Sequence, residues 1–207
     1  MAAWGVRFNS GQMCTAPTRL LVEESVHEQF TDRLCEILAE VKIGNPLDPT
    51  VEMGPIASAH QMEAIQMHLE SARSRGVSEK LKSYRSEEAG NWLSPAVFTN
   101  VASDDPLAQE EIFGPVLSVI PFSSDEEAVQ IANNSIYGLA AGIWTSNLSR
   151  AHQISRKIKA GTIWVNCYEE GDLTVPFGGM KQSGNGRDKS IHALEKYLEM
   201  KTTWIQL

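Results

Sequence analysis

Basic residues are the scarce class in this chain. Eighteen lysines and arginines stand against 26 aspartates and glutamates, a net charge of −8 over 207 residues. Nucleic acid and anionic membrane would both be repelled, so neither is expected as a partner. No apolar run approaches the roughly 20 residues that a membrane span needs. Residues 1–7 lack the basic stretch, apolar core and cleavage site of a secretory signal. Cysteine is sparse too, at Cys14, Cys35 and Cys167. An odd, sparse set builds no disulfide framework. A reducing, cytoplasmic setting is expected, and it leaves a free thiol for chemistry. With 42% apolar and 21% charged residues the composition is that of an ordinary globule, long enough for one or two domains.

Strand-like and helix-like stretches alternate along the chain. Residues 19–22 form a short apolar run that reads as a strand. Ser25 to Glu28 has the spacing of a capping box, and Val26, Phe30, Leu34, Ile37, Leu38 and Val41 fall on one helical stripe behind it. A second such box, Ser58 to Gln61, opens a helix with Met62, Ile65, Leu69 and Ala72 on one face. Residues 75–91 are polar and charged and are expected to form an exposed excursion. Residues 116–120 read as a buried strand, and Ser124 with Glu127 caps the helix after it. A strand over 139–144, a helix over 148–160 and a strand over 162–166 follow. After a glycine-rich segment, 171–186, come a helix over 191–197 and a terminal strand over 201–207. Strands joined by helical connections predict an α/β fold with a mainly parallel sheet and flanking helices.

Three stretches carry chemical interest. Cys14 lies in Phe8-Asn9-Ser10-Gly11-Gln12-Met13-Cys14-Thr15, just after a glycine turn and before a strand. Backbone N–H groups at such a place can stabilise a thiolate, although a lone cysteine is more often a small buried hydrophobe. In Glu110-Glu111-Ile112-Phe113-Gly114-Pro115, a carboxylate suits a sugar diol and an aromatic ring suits a flat heterocycle. A solvated acidic turn ahead of a core Phe has the same look. The run Val175 to Arg187, five of whose thirteen residues are Gly or Pro, matches neither phosphate-loop pattern and reads as a loop closing over a site.

In this order the three stretches resemble the aldehyde dehydrogenase superfamily, from about Phe8 to the C-terminus. The Gly-Gln-x-Cys, Glu-Glu-Ile-Phe-Gly-Pro and Pro-Phe-Gly-Gly-x-Lys-x-Ser-Gly segments carry the resemblance. It implies that Cys14 is the nucleophile and that Glu111 and Phe113 hold the nicotinamide ribose and flank the ring of NAD or NADP. It implies that Asn166 supports the cysteine loop and that Phe177 lines the substrate pocket. No metal is implied. The stretches at 171–177 and 186–190 are most similar to dehydrogenases for γ-glutamyl-γ-aminobutyraldehyde and related aminoaldehydes. Glu169, Glu170 and Asp172 fall where the family places substrate-contacting residues. Carboxylates at a pocket mouth would attract a substrate ammonium, and Tyr168 could add a cation–π contact. A solvated loop that only aids solubility is the rival reading.

The resemblance further implies a small-molecule aldehyde as substrate and a homo-oligomer, the terminal strand lying against a neighbouring subunit. Residues 1–190 are then a catalytic thiol domain, and 191–207 a terminal helix and oligomerisation strand. The family's dinucleotide-binding domain, which precedes the cysteine and brings a general-base glutamate and an oxyanion-stabilising asparagine, is expected to be absent, with only thirteen residues before Cys14. The isolated chain is then expected to be inactive as a dehydrogenase. Two other classes stay open: a non-catalytic oligomerisation fragment, and a CoA-acylating relative in which a thiol releases the acyl group.

Overall fold

A computed structural model of the chain describes residues 1–86 and 90–207. Its contacts divide it into two compact units, Met1–Ser135 and Ile136–Leu207.

The first unit is built on a four-stranded sheet. In chain order its elements are α1 (Ala2–Arg7), β1 (Arg19–Glu23), α2 (Glu24–Ala39), α3 (Ala59–Ser74), β2 (Ser78–Leu81), β3 (Ala96–Thr99), α4 (Pro106–Gln109), β4 (Val116–Phe122) and α5 (Asp125–Asn133). The strand order is β1-β4-β3-β2. β4 pairs in parallel with β1 and β3, and only β2 runs antiparallel. The two-residue period of β3 and β4 sends side chains to alternate faces. On one face Ala96, Phe98, Val116 and Ile120 pack with Ile56, Met62, Ile65, Leu69 and Ala72. On the other, Val97, Leu117 and Val119 pack with Ala3, Val6, Leu34 and Leu38. Helices on both faces explain why the central strands read as continuous apolar runs. Burying each of the Val, Leu, Ile, Met and Phe side chains among them contributes about 1.5–3 kcal/mol.

The helix starts differ in how closely they follow the sequence. Ser58 caps α3 by accepting the Gln61 N–H at 3.1 Å, and Ser124 caps α5 by accepting the Glu127 N–H at 3.2 Å. The expected box at Ser25 to Glu28 does not form: α2 begins at Glu24, and the Ser25 hydroxyl bonds the Glu23 carboxylate instead. The buried side of α2 is Thr31, Leu34 and Leu38, while Val26, Phe30 and Ile37 are exposed. The buried stripe is narrower than the apolar pattern and includes Thr31, whose hydroxyl donates to the His27 carbonyl at 2.6 Å.

Residues 75–91, expected as an excursion, contain β2. It is a short edge strand whose Glu79 takes a two-pronged ion pair from Arg73 at 2.7 and 2.8 Å. Positions 87–89 of that stretch lie outside the described residues.

The second unit holds a parallel pair, β5 (Ala140–Ile143) and β6 (Thr162–Val165), connected through α6 (Leu148–Lys157). α6 ends at Lys157, three residues short of the expected stop, because Ile158 already has extended backbone. Ile143, Ala151, Ala160, Trp164 and Tyr168 are buried here. Single 3₁₀ segments cover Lys181–Ser183 and Ile191–Tyr197. The strand expected at 201–207 is not formed: residues 198–207 carry no regular secondary structure and are exposed. A strand exists only when paired, and no strand partner is present for this one among the described residues. No described helix is long and apolar enough to cross a membrane.

Candidate active site

Cys14 sits at the tip of a tightly braced loop. The chain leaves α1 through a 3₁₀ turn, Phe8–Gly11, in which Asn9, Ser10 and Gly11 all have positive φ. For Asn9 and Ser10 this backbone is costly, and it persists where side chains over-determine it. Here the Ser10 hydroxyl donates to the Gly54 carbonyl at 2.8 Å, and the Asn9 amide donates to the Gln12 carbonyl at 2.8 Å. The Gln12 amide donates to the Asn9 carbonyl at 3.1 Å while its oxygen accepts the Ala57 N–H at 2.8 Å. A turn closed by the Ala16 N–H on the Met13 carbonyl at 3.0 Å then presents Cys14, whose side chain is exposed. The bland reading of a buried hydrophobe is therefore excluded for Cys14. It suits Cys35 better, which is half-buried and whose thiol pKa is pushed up by burial.

The Glu111–Pro115 turn meets this loop. Gly11, at φ +70, lies so close to the Gly114 carbonyl that a Cβ on Gly11 would overlap it. The turn leaves Ile112 buried while Glu111 and Phe113 point outward. Phe113 is held at φ 55 and is 37% exposed, an unusual state for a large aromatic. Gln61 pins it, with Nε2 donating to the carbonyls of Ile112 at 2.9 Å and Phe113 at 3.1 Å. The turn thus exposes a carboxylate, Glu111, and an aromatic ring, Phe113, on either side of a buried residue. Sequence reasoning missed Gln61. Its only signal was its place three residues after an N-cap serine, which pointed to the capping box alone.

The second unit holds the remaining expected residues. Asn166, at φ 58 just past β6, spends both ends of its amide on Thr145, accepting its N–H and donating to its carbonyl, each at 2.9 Å. The Glu170 carbonyl takes the Trp164 indole N–H at 2.6 Å. Tyr168 is buried, with its ring 4.7 Å from that of Trp164, and so does not offer an open face to solvent. Glu169, at φ 62, has one buried carboxylate oxygen without a hydrogen-bond partner among the described residues. Asp172 is exposed and accepts both the N–H and the hydroxyl of Thr174 at 2.7 Å. These bonds, with Lys189 adding a smaller attraction, hold its carboxyl below the usual range. Phe177 pairs backbone to backbone with Asp188, and the Lys189 ammonium lies 5.6 Å from its ring centroid. The acidic cluster is thus already partly occupied, by a turn hydroxyl and a neighbouring cation.

The family model for aldehyde dehydrogenases matches residues 1–203. The chain belongs to the aldehyde dehydrogenase family. Among relatives, NADP/NAD-dependent aldehyde dehydrogenase PuuC of Escherichia coli (strain K12) is 47% identical over 205 residues, 99% of this chain and 41% of that protein. Betaine aldehyde dehydrogenase of Brucella anthropi is 38% identical over 213 residues, 100% of this chain and 43% of that protein. Among solved structures, indole-3-acetaldehyde dehydrogenase in complex with NAD+ superposes with a TM-score of 0.93 at 48% identity, covering 100% of this chain and 42% of that one. The aldehyde dehydrogenase KauB from Pseudomonas aeruginosa gives the same values. The chain therefore spans about two fifths of the length of the family members it matches.

Proposed function

We propose that this chain is the thiol-bearing catalytic portion of an NAD(P)-dependent aldehyde dehydrogenase, with Cys14 as nucleophile. The observation that carries the reading is the braced loop that exposes Cys14 and closes, through Gly11, on the turn bearing Glu111 and Phe113. The Cys14 thiolate attacks the aldehyde carbon, and the carbonyl becomes an oxyanion in a thiohemiacetal, with the Cys14 N–H as one stabilising donor. NAD or NADP, when bound, would supply a hydride acceptor beside this sulfur. Glu111 and Phe113 orient that cofactor at its ribose and ring. Water then releases the carboxylate and returns the thiol. A sulfur ester stays electrophilic enough for that last attack.

For the substrate we propose an aminoaldehyde, read by the segment of unit 2 that carries Glu169, Glu170, Asp172 and Phe177. Betaine aldehyde dehydrogenase, named for an aldehyde that carries a cationic nitrogen, is the relative that supports this choice. The test is kcat/KM for 4-aminobutyraldehyde against butyraldehyde in the full natural protein that carries this chain. Preference for the amine, lost in Glu170→Gln, supports the proposal; equal efficiency on both aldehydes refutes it. We also propose self-association through the exposed terminal segment, where Leu198, Met200, Trp204, Ile205 and Leu207 all face solvent. Light scattering before and after removal of residues 200–207 tests it: a smaller assembly supports the proposal, and an unchanged mass refutes it.

A further inference from the structure

The loop that carries Phe177 is clasped by a later segment of the same unit. The Phe177 N–H donates to the Asp188 carbonyl at 2.8 Å, and the Asp188 N–H donates back at 2.6 Å. The Ser190 N–H donates to the Leu173 carbonyl at 2.7 Å. Lys189 lies between these ties, and both it and Ser190 have positive φ, at 59 and 53. Non-glycine residues adopt such backbone at a cost, so the ties fix how residue 189 is presented. Its ammonium rests 5.6 Å from the Phe177 ring centroid and 3.5 Å from where a Cβ on Gly171 would stand. It also attracts the Asp172 carboxylate, beside the stronger bonds from Thr174. Neighbouring cations are engaged elsewhere: Arg187 donates to the Gly179, Asn185 and Gly186 carbonyls, and Lys196 pairs with Asp188. The chain thus seats a cation of its own on the segment that bears Asp172 and Phe177.

We infer that Lys189 is a specificity-determining residue, a built-in cation that a cationic substrate must displace from the Phe177 ring and the acidic segment. This rests on the proposed reading of that segment as the part that reads an aminoaldehyde. An aromatic face attracts a cation, and here Lys189 already uses that attraction. An arriving substrate ammonium meets a like charge until the lysine swings away. Lys189 is exposed and its four-carbon stem is flexible, so the swing is open to it. The device sets a threshold: neutral aldehydes do not feel it, and cationic ones bind more weakly than the carboxylates alone would allow. The competing role is mechanical, with the Lys189–Phe177 contact only bracing the loop. Bracing matters equally to every aldehyde, so a charged and a neutral substrate of the same length separate the two roles.

The experiment uses the full natural protein that carries this chain, as wild type, Lys189→Met and Lys189→Arg. Methionine keeps an unbranched apolar stem and removes the charge; arginine keeps the charge. KM and kcat are read separately for 4-aminobutyraldehyde and for butyraldehyde. Removing a competitor held by an exposed cation–π contact predicts a KM for 4-aminobutyraldehyde lower by about three- to tenfold in Lys189→Met. Both kcat values, and the KM for butyraldehyde, should stay within about twofold of wild type, as should every value in Lys189→Arg. The gain in Lys189→Met should shrink between about 0.05 M and about 0.5 M salt, because a charge effect is screened. An equal change on both aldehydes, or the same KM shift in Lys189→Arg, makes Lys189 a brace and overturns the inference. An unchanged KM for 4-aminobutyraldehyde in Lys189→Met, with the wild type still preferring the amine, also overturns it and leaves the aminoaldehyde reading standing. No preference for the amine in either wild type or Lys189→Met is the separate failure of that reading, and the inference falls with it.

Discussion

Gly11→Ala probes the contact between the cysteine loop and the Phe113 turn. Two penalties add at this position. A residue with a Cβ at φ +70 costs about 1–2 kcal/mol through its left-handed backbone. The new methyl would also overlap the Gly114 carbonyl and the Pro115 nitrogen, and overpacking of this kind costs about 1–3 kcal/mol. Gly76 supplies the control. It has φ +77 but no atom within 4 Å of an added Cβ, so Gly76→Ala carries only the first penalty. Urea unfolding, with a slope of about 2 kcal/mol per molar, should move the midpoint by about 0.5–1 M for Gly76→Ala and about 1–2.5 M for Gly11→Ala. Iodoacetamide labelling of Cys14 should change rate in Gly11→Ala only. Equal destabilisation by the two substitutions, with equal labelling, would refute the contact and with it the idea that the two motifs form one site.

Limiting iodoacetamide at neutral pH should modify Cys14 before Cys35, because Cys14 is exposed while burial raises the Cys35 pKa and so lowers its thiolate fraction; peptide mass spectrometry reads the order, and Cys35 reacting first would contradict it. Ser58→Ala should destabilise unit 1 by about 0.5–2 kcal/mol through loss of the α3 cap, as measured by the urea midpoint. The Asp172–Thr174 turn should persist down to the ordinary aspartate pKa of about 3.9 and open only below it, since a depressed carboxyl pKa gives stability that is lost as pH falls through the lowered value. The Thr174 amide shift in NMR follows this, and opening above about pH 4 would be the wrong result.

Period and capping carried most of the fold. The four apolar positions of α3 are all buried, and the strands at β1, β4, β5 and β6 lie where alternation and apolar runs put them. Two of the failures depended on partners that are distant in sequence. β2 is an edge strand, Ser-Glu-Lys-Leu, with Leu81 as its one apolar residue; its neighbour β3 and the Arg73–Glu79 pair define it. The terminal segment has strand composition, yet a strand is a property of a pair. Within the candidate site, residue types alone left Cys14, Glu111 and Phe113 open to bland readings, and the resemblance of three ordered motifs singled them out. Gln61 was invisible: it acts on two backbone carbonyls some fifty residues away, and no local pattern encodes that. The acidic cluster was legible as charge only. That Asp172 is engaged by Thr174, and that Lys189 lies over Phe177, required three-dimensional placement.

The central claim is that Cys14 becomes acylated during aldehyde oxidation. The direct measurement is acid-quenched peptide mass spectrometry of the full natural protein that carries this chain, mixed with NAD and butyraldehyde for less than one turnover. The expected result is a butyryl group on Cys14 alone, absent without NAD and absent in Cys14→Ala. A butyryl group on Cys35 or Cys167, or aldehyde oxidation that survives Cys14→Ala, would contradict the account.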